Sequence, residues 1–465
     1  MPRVSRRTIG YLVAAVVLVL VAVGVMRSLL RDPQRSPGQV ALPTGTASAS
    51  QPRSWWTYHR DNTRSGDQPG IAAVHRLLPA WQQHLDGAVY ASPLVVGHQV
   101  ILATENNTVY SLDLGTGRQS WRHHLGTPVS GNLLPCGNVN PLGITGTPTY
   151  DRRTQRIYAV TETVRRGRVR HDLVGVDVQT GRMTFRQNAD PPRQDPVPMQ
   201  QRGALLALRG VIYVPYGGLY GDCGDYHGHV VAIDPATRRA MSVYRVPAAR
   251  KGGIWAPPGV VQGTDGRLLA AVGNGSSSTS YDGSDSVIAL DPHTLTRLDF
   301  FAPRNWRSDN RVDADLGSMG PVVLPDGGTL AAGKSGYVYL LGKPLGGIGG
   351  EVASVRGCVA FGGAAVAGMR VFLPCIDGVR ELMVTQRSLS FGWRANQASG
   401  SPVLGGGKVW SLNTATGMLY AFDQRDGQIT AQASVGPVTR FATPALTRDR
   451  VVVPTRTGVV VLSIS

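Results

Sequence analysis

Short apolar runs separated by turn residues fill most of the chain, and the stretch from Asp86 to Trp121 shows this pattern most completely. It holds four β-prone runs, and the turns between them are built largely from Gly, Asn and Asp. This alternation predicts a four-stranded antiparallel meander. One such sheet cannot bury both of its faces, so we expect similar sheets to follow along the chain.

The pattern recurs at intervals of roughly 40 to 65 residues, which is the spacing typical of propeller blades. A small residue followed by Pro opens the innermost strand of most repeats. These pairs are Ser92-Pro93, Thr147-Pro148, Ala256-Pro257, Gly320-Pro321, Ser401-Pro402 and Thr443-Pro444, with weaker versions at Gly203-Ala204 and Gly363-Ala364. The repeats therefore predict an all-β, eight-bladed β-propeller of four-stranded antiparallel blades.

The two ends of the repeat region predict how the ring closes. The last repeat, from Pro437 to Ser465, offers only three strands, and an unpaired strand from Pro79 to Leu85 precedes the first repeat. We expect these ends to pair within one blade, because a closed ring leaves no open sheet edge.

The first repeat carries a specific signature, Y-x-L-D-x-x-T-G-x-x-x-W, which runs from Tyr110 to Trp121. It resembles the blades of the pyrroloquinoline-quinone-type (PQQ-type) β-propeller repeat family, and the resemblance covers about residues 55–465. That family includes quinoprotein dehydrogenases and also scaffolds that assist envelope-protein assembly. The resemblance thus implies the fold but leaves the function open.

The N-terminal region predicts a membrane anchor. Residues 1–8 carry three Arg and are expected to stay in the cytoplasm, while residues 9–26 contain no charge and reach spanning length. Residues 27–54 are rich in Pro, Ser and Thr and predict a flexible linker to the propeller at 55–465. Arg residues directly after the apolar stretch favour an uncleaved signal anchor, with a cleaved signal peptide as the alternative. The predicted location is the cell membrane, single-pass, with the propeller extracytoplasmic.

The chain has an excess of basic residues, which limits the kinds of partner that it could bind. With 47 basic and 30 acidic residues, the formal net charge is +17. Nucleic acid, anionic lipid or an anionic polymer would suit such a charge. The basic residues are spread out without a run of five, so we expect a solvated surface and no nucleic-acid partner. The expected partners are the membrane, through residues 9–26, and an unknown protein or small-molecule envelope ligand.

Four cysteines are present: Cys136, Cys223, Cys358 and Cys375. They lack the spacing of a zinc site, and an even number in an exported domain favours disulfides. In a propeller, the loop before the first strand of a blade lies on the same face as the loop between its second and third strands. All four cysteines fall in such loops. Cys358 and Cys375 belong to one blade, and Cys136 and Cys223 belong to adjacent blades, which predicts the bridges Cys136–Cys223 and Cys358–Cys375.

The family resemblance also implies a ligand site on that face. Trp255 resembles the tryptophan that the quinoprotein dehydrogenases stack against their quinone, and Asn274 resembles one of their calcium ligands. Asp313 and Asp315 resemble aspartates that bind calcium or act as the base. Lys334 resembles a basic residue that contacts the cofactor.

Two departures from the family pattern argue against a working quinone site. The calcium-binding glutamate would fall at or beside Cys223, where no glutamate stands. An adjacent-cysteine disulfide that caps the quinone in many members would fall near Cys136, which has no neighbouring cysteine. A Cys136–Cys223 bridge would cross the space that both features occupy. Loss of a carboxylate removes charge and an oxygen ligand from a Ca²⁺ site.

We therefore expect no catalytic residue, no metal and no cofactor. The preferred interpretation is a membrane-anchored, extracytoplasmic PQQ-like propeller that acts as a ligand- or protein-binding scaffold module. The alternative is a PQQ-dependent quinoprotein dehydrogenase with a degenerate metal site. In that case Asp315 would be the catalytic base, and Asn274 and Asp315 would hold Ca²⁺ beside PQQ.

Overall fold

The computed structural model describes residues 54–465. The predicted anchor at 9–26 and nearly all of the predicted linker lie outside these residues. Between residues 54 and 465, no helix is both long and apolar enough to cross a membrane.

The described strands form eight sheets, which confirms the prediction of an all-β, eight-bladed propeller. Strand β1 (Leu77–His84) comes first and belongs to the last blade. Blades one to four contain β2–β5 (Leu94–Val96, Gln99–Ala103, Thr108–Asp113, Gln119–His124), β6–β9 (Thr149–Asp151, Arg156–Arg165, Arg168–Asp177, Met183–Asn188), β10–β14 (Met199–Gln200, Leu206–Leu208, Val211–Gly218, His229–Asp234, Arg239–Arg245) and β15–β18 (Val261–Gln262, Leu268–Val272, Ser286–Leu290, Arg297–Ala302).

The remaining blades follow in chain order. Blades five to eight contain β19–β21 with β23 (Val322–Val323, Thr329–Ala332, Tyr337–Leu341, Ala353–Arg356), β24–β27 (Ala365–Ala367, Arg370–Cys375, Gly378–Val384, Leu389–Ala395), β28–β31 (Val403–Gly405, Lys408–Asn413, Met418–Asp423, Ile429–Ser434) and β32–β34 (Ala445–Leu446, Arg450–Thr455, Gly458–Ile464) with β1. Strand β22 (Gly347–Ile348) pairs in parallel with β18, an addition that the repeat pattern did not predict. One short α-helix, α1 (Trp306–Val312), lies between blades four and five, and 3₁₀ turns occur at Gly131–Leu133 and Leu316–Ser318.

The ring closes where the sequence predicts it. Strand β1 pairs antiparallel with β34, with Leu77 opposite Ile464 and His84 opposite Gly458. The Trp81 indole donates a hydrogen bond to the Leu114 carbonyl at 2.9 Å and packs against Gly117. A Cβ at Gly117 would lie 2.6 Å from that ring, so only glycine fits under it. The closing strand is thus fixed both to blade eight and to blade one.

Along the inner strands, apolar side chains alternate between the two faces of each blade, so each blade contributes to the core on both of its sides. The same tryptophan contact recurs elsewhere, because Trp121 packs on Gly181 and Trp393 packs on Gly427. Each of these indoles donates a hydrogen bond to a carbonyl of the next blade, Trp121 to Val178 and Trp393 to Gln424. The aromatic of the repeat signature therefore locks one blade to the next.

Residues 55–68 form a segment, here called the plug, that crosses the end of the channel opposite the cysteine-bearing loops. Its backbone hydrogen-bonds to Val95, Tyr150, Val366 and Leu404, which belong to the innermost strands of four different blades or adjoin them. Arg64 extends these contacts to blades three and four. Its guanidinium donates to the carbonyls of Leu205, Pro258 and Val260 and to the Thr57 hydroxyl.

Both predicted disulfides are present, Cys136–Cys223 and Cys358–Cys375, and the described residues contain no free cysteine. The first bridge joins the loop before blade two to the β12–β13 loop of blade three. A small apolar cluster that includes Val129, Leu142 and Leu219 packs around it. The second bridge lies within blade six.

Candidate functional site

A cavity of about 840 Å³ opens at the centre of the face that carries the cysteine loops. We call it the funnel. Arg202 and Phe441 also line a small void on the inner side of the funnel, and Tyr58 of the plug lines that same void. The plug thus lies beneath the funnel.

The structure brings all five residues implied by the resemblance to the funnel wall. These are Trp255, Asn274, Asp313, Asp315 and Lys334. Four different loops supply them. Trp255 lies in the loop before the innermost strand of blade four, and Asn274 follows β16. The two aspartates lie between α1 and β19, and Lys334 lies in the β20–β21 loop of blade five. Such convergence of distant segments is typical of a ligand site at the mouth of a rigid scaffold.

Lys334 is the electrostatic centre of this group. Its ammonium lies 2.7 Å from Asp315 Oδ2 and 2.9 Å from Asp313 Oδ1, and 5.8 Å from the centre of the Trp255 ring. Burial opposes its charge, but Asp315 and Asp313 hold the pKa of Lys334 above its usual value. Lys334 therefore stays protonated and places a cation over the Trp255 ring.

Asp315 is buried, with 1% of its surface exposed, and its Oδ1 atom has no hydrogen-bond partner among the described residues. Burial raises the pKa of Asp315 to about 6, although Lys334 opposes that rise. Asp285 lies behind it, with one carboxylate oxygen bound by the Leu316 amide and the other unpartnered in the described structure. Burial, with a further contribution from Asp315, raises the pKa of Asp285 well above its usual range.

A second ion pair lies across the funnel. The Asp222 carboxylate is 3.1 Å from the Lys251 ammonium and accepts a hydrogen bond of 2.6 Å from the Tyr226 hydroxyl. Tyr226 remains a neutral donor, since burial raises its pKa far above the ordinary range. Asp222 stands immediately before Cys223, where the family pattern implies a glutamate.

Sequence reasoning missed an important part of the wall, a stack of cations and aromatic rings. The Arg202 guanidinium lies 5.1 Å from the centre of the Phe441 ring, and Arg440 lies 5.4 Å from the same ring and 4.9 Å from Phe361. Phe441 and Trp255 are 6.4 Å apart.

The repeat itself held the signal for these residues. Trp255 directly precedes the blade opener Ala256-Pro257, and Arg202 directly precedes Gly203-Ala204. Phe361 and Phe441 stand two residues before their own openers. The positions just before the blade openers surround the axis, and the large side chains at these four positions line the funnel. The rule is not general, because Met319, directly before Gly320-Pro321, is buried in the core instead.

The geometry permits a test of the family's cofactor and metal. A planar aromatic carboxylate suits a funnel with an indole face and cations at Arg202, Lys251, Lys334 and Arg440. A calcium ion suits it less well. Asp313 and Asp315 are bound to Lys334 and Asp222 is bound to Lys251, so each of these carboxylates already contacts a fixed cation. Within residues 54–465, no group of three His, Cys, Asp or Glu residues is placed to hold a metal ion.

One expectation about the site is wrong. The Cys136–Cys223 bridge was expected to cross the ligand space, yet neither cysteine lines the funnel. The bridge packs instead into the apolar cluster beside the funnel, and Leu219 belongs both to that cluster and to the funnel wall. The cavity beside the bridge is therefore open.

Fold and site together define an eight-bladed propeller with a cationic, aromatic-lined central funnel. Residues 78–272 match the family model described as "Outer membrane protein assembly factor BamB". This match, together with the relative described next, confirms the resemblance to the PQQ-type propeller repeat family.

Among curated proteins, the chain is similar to a polyvinylalcohol dehydrogenase from Sphingopyxis sp. (strain 113P3), with 24% identity over 57% of this chain. The aligned part spans only 41% of that relative's length. Two solved structures show the same fold. Quinohemoprotein alcohol dehydrogenase ADHIIG from Pseudomonas putida HK5 superposes with a TM-score of 0.68 at 14% identity, over 89% of this chain and 80% of its own. BamB from Moraxella catarrhalis superposes with a TM-score of 0.57 at 14% identity, over 84% of this chain and 100% of its own.

Proposed function

We propose that this chain is a binding propeller whose funnel takes a planar organic anion. The observation that carries this proposal is the convergence of Trp255 and Phe441 with four cations, Arg202, Lys251, Lys334 and Arg440, on one cavity. Aromatic faces bind a flat ring, and guanidinium and ammonium groups bind its carboxylates. With three aspartates and Arg311 also in the wall, cations still outnumber anions.

Lys334 has a specific role in this proposal. A fixed ammonium beside Trp255 supplies the positive charge that a metal ion would otherwise bring, so ligand binding does not require calcium. Asp315 and Asp313 hold that ammonium in place, and the bound anion would share it.

Titration with PQQ tests this, because PQQ is a planar tricarboxylate and its binding beside an indole quenches tryptophan fluorescence. We expect saturable quenching that EDTA leaves unchanged. W255F should remove most of the quenching, whereas W393F, a matched change between blades six and seven, should retain it. Absence of saturable quenching by PQQ and by other aromatic carboxylates would refute the proposal and leave a protein scaffold as the function.

A second candidate is a quinoprotein dehydrogenase, and two observations favour it. The similar curated protein is a polyvinylalcohol dehydrogenase. In addition, a buried carboxylate with one unpartnered oxygen, Asp315, stands in the same cavity as Trp255. When bound, PQQ would supply the oxidising group, Trp255 would support its ring, and Asp315 would accept the alcohol proton at its free oxygen. Alcohol-dependent dye reduction that needs both PQQ and Ca²⁺, and that D315N abolishes, would establish this activity.

We propose further that the propeller lies outside the cytoplasm, anchored to the membrane through residues 9–26. The two disulfides support an oxidising compartment, since such bonds persist mainly there. A reporter that requires disulfide formation, fused after Ser465, should be active, and a reporter that works only in the cytoplasm should be silent. The opposite result would overturn this location.

A further inference from the structure

A second concavity lies on the same face as the funnel but outside it. Two cavities, of about 1040 and 810 Å³, share Asp195 and Val197 and so form one continuous depression along blades two and three. We call it the rim groove. Its walls are the β7–β8 hairpin and the loops around residues 133–135, 190–198 and 224–229. The Cys136–Cys223 loops lie between the rim groove and the funnel.

Arginine dominates the rim groove. The six arginines in its wall are Arg165, Arg166, Arg168, Arg170, Arg193 and Arg245. They face three aspartates, of which Asp190 is already bound to His171 at 2.8 Å. Arg165 is paired with Asp172, and Arg245 contacts His227. The side chains of the other four make no hydrogen bond or ion pair with any residue that the structure describes, so their charges are available to a ligand.

The hairpin presents these charges by a specific geometry. Strands β7 and β8 are ten residues each, against five and six for the equivalent strands of blade one. Arg165 stands directly opposite Arg168, and Arg170 follows on the same face of the hairpin. On the other face, Val164 and Val169 pack into the cluster around the disulfide. Like charges directly opposite each other destabilise a strand pair, so fold stability does not account for this face.

The chemistry of the walls indicates the kind of partner. Guanidinium groups bind phosphates and carboxylates, often through two hydrogen bonds, and successive arginines on one face of a strand lie about 7 Å apart. Among the described residues that line the two cavities there is no Phe, Tyr or Trp, so the groove offers no large aromatic ring on which bases could stack. The two joined cavities fit an extended chain better than a compact molecule. We propose that the rim groove binds an unbranched polyanion whose repeating charges are phosphates or carboxylates.

Fluorescence anisotropy with labelled inorganic polyphosphate and labelled polyglutamate tests this on the full chain. One or both should bind at about 0.1 M salt, with an affinity that falls steeply as salt rises. R166E/R168E should weaken binding by about tenfold or more under those conditions. The matched control is R118E/R387E, which changes the same net charge at exposed turns between third and fourth strands, on the opposite face. The affinity of this control for the polyanion should stay within about twofold of that of the unchanged chain.

The two probes separate phosphate from carboxylate recognition, and the proposal holds with either. Equal losses in the two double variants would overturn it, because binding would then follow net charge alone. Tighter binding of a single-stranded oligonucleotide of equal charge, or binding only to anionic vesicles, would also overturn it. If R166E/R168E fails to fold, R193E tests the opposite wall. K334M should leave polyphosphate binding unchanged, so failure here is distinguishable from failure of the funnel proposal.

Discussion

Arg64 offers a direct test of the plug, because it is a charged side chain with only 4% of its surface exposed. Burial lowers its pKa to about 10, so it remains charged at neutral pH. Among residues 54–465, no carboxylate forms an ion pair with it. Its charge is balanced by the carbonyls of Leu205, Pro258 and Val260 at 3.0–3.1 Å and by the Thr57 hydroxyl at 2.6 Å.

R64M keeps much of the side-chain volume and removes all five N–H donors. Three carbonyls of blades three and four would then lose a charged donor in a buried site, at a cost of about 1–3 kcal/mol each. Methionine carries no charge, so the cost of burying a charge disappears and offsets part of this loss. We therefore expect a net loss of about 3 kcal/mol in the free energy of unfolding. For a domain of this size that is a fall of about 3–4 °C in Tm.

Urea and thermal unfolding of the full chain measure this difference. The control is R60M, in the same segment, because the Arg60 side chain is part-exposed and pairs with Asp61, a pair worth under about 1 kcal/mol. If R64M cost no more than R60M, the plug would be a passive covering, and the hydrogen bonds of Arg64 would not hold it to blades three and four.

Three further outcomes follow from the geometry. The Cys136–Cys223 bridge closes a loop of 87 residues and the Cys358–Cys375 bridge one of 17, which gives about 4.5 and about 3 kcal/mol of chain-entropy stabilisation. C223S should therefore lower the unfolding free energy more than C375S. Both effects should vanish in the reduced protein. Because Asp315 loses its negative charge as pH falls through about 6, PQQ affinity should rise between about pH 7 and about pH 5, and D315N should lose most of that rise. W81A should cost about 3 kcal/mol and speed amide hydrogen exchange in β1, whereas unchanged exchange there would show that Trp81 does not hold the seam.

Much of the fold could be predicted because its signals are local. The alternation of apolar and polar residues, the Asp-x-x-Thr-Gly turns and the Trp that follows them each act within a few residues. Strand β22 could not be predicted this way. It has two residues in a Gly-rich stretch, and it exists only because Phe301 and Ala302 of blade four pair with it. The role of residues 55–68 was equally hidden, since their partners are spread over distant blades.

The site residues differ in a similar way: those within a recognisable motif could be predicted, and those outside one could not. Trp255, Asn274 and Lys334 were found through a motif that resembles a known family, and the structure places them together in the funnel. Arg202 and Arg440 were missed because arginine is common throughout this chain, so the residue type alone carries little information. The arginines of the β7–β8 hairpin were passed over for the same reason. Only cross-strand register shows that they share one face.

The seam between β1 and β34 has a consequence for synthesis. Leu77 pairs with Ile464, so 464 − 77 = 387 residues of chain must be made before that blade can form. At about 5–20 residues per second, the first strand waits roughly 20–80 seconds for its partner. During that time its backbone donors and acceptors are an unpaired edge that any other strand could occupy. The growing chain must therefore keep β1 unoccupied while seven blades assemble beside it, and the ring becomes complete only when the final strand has been made.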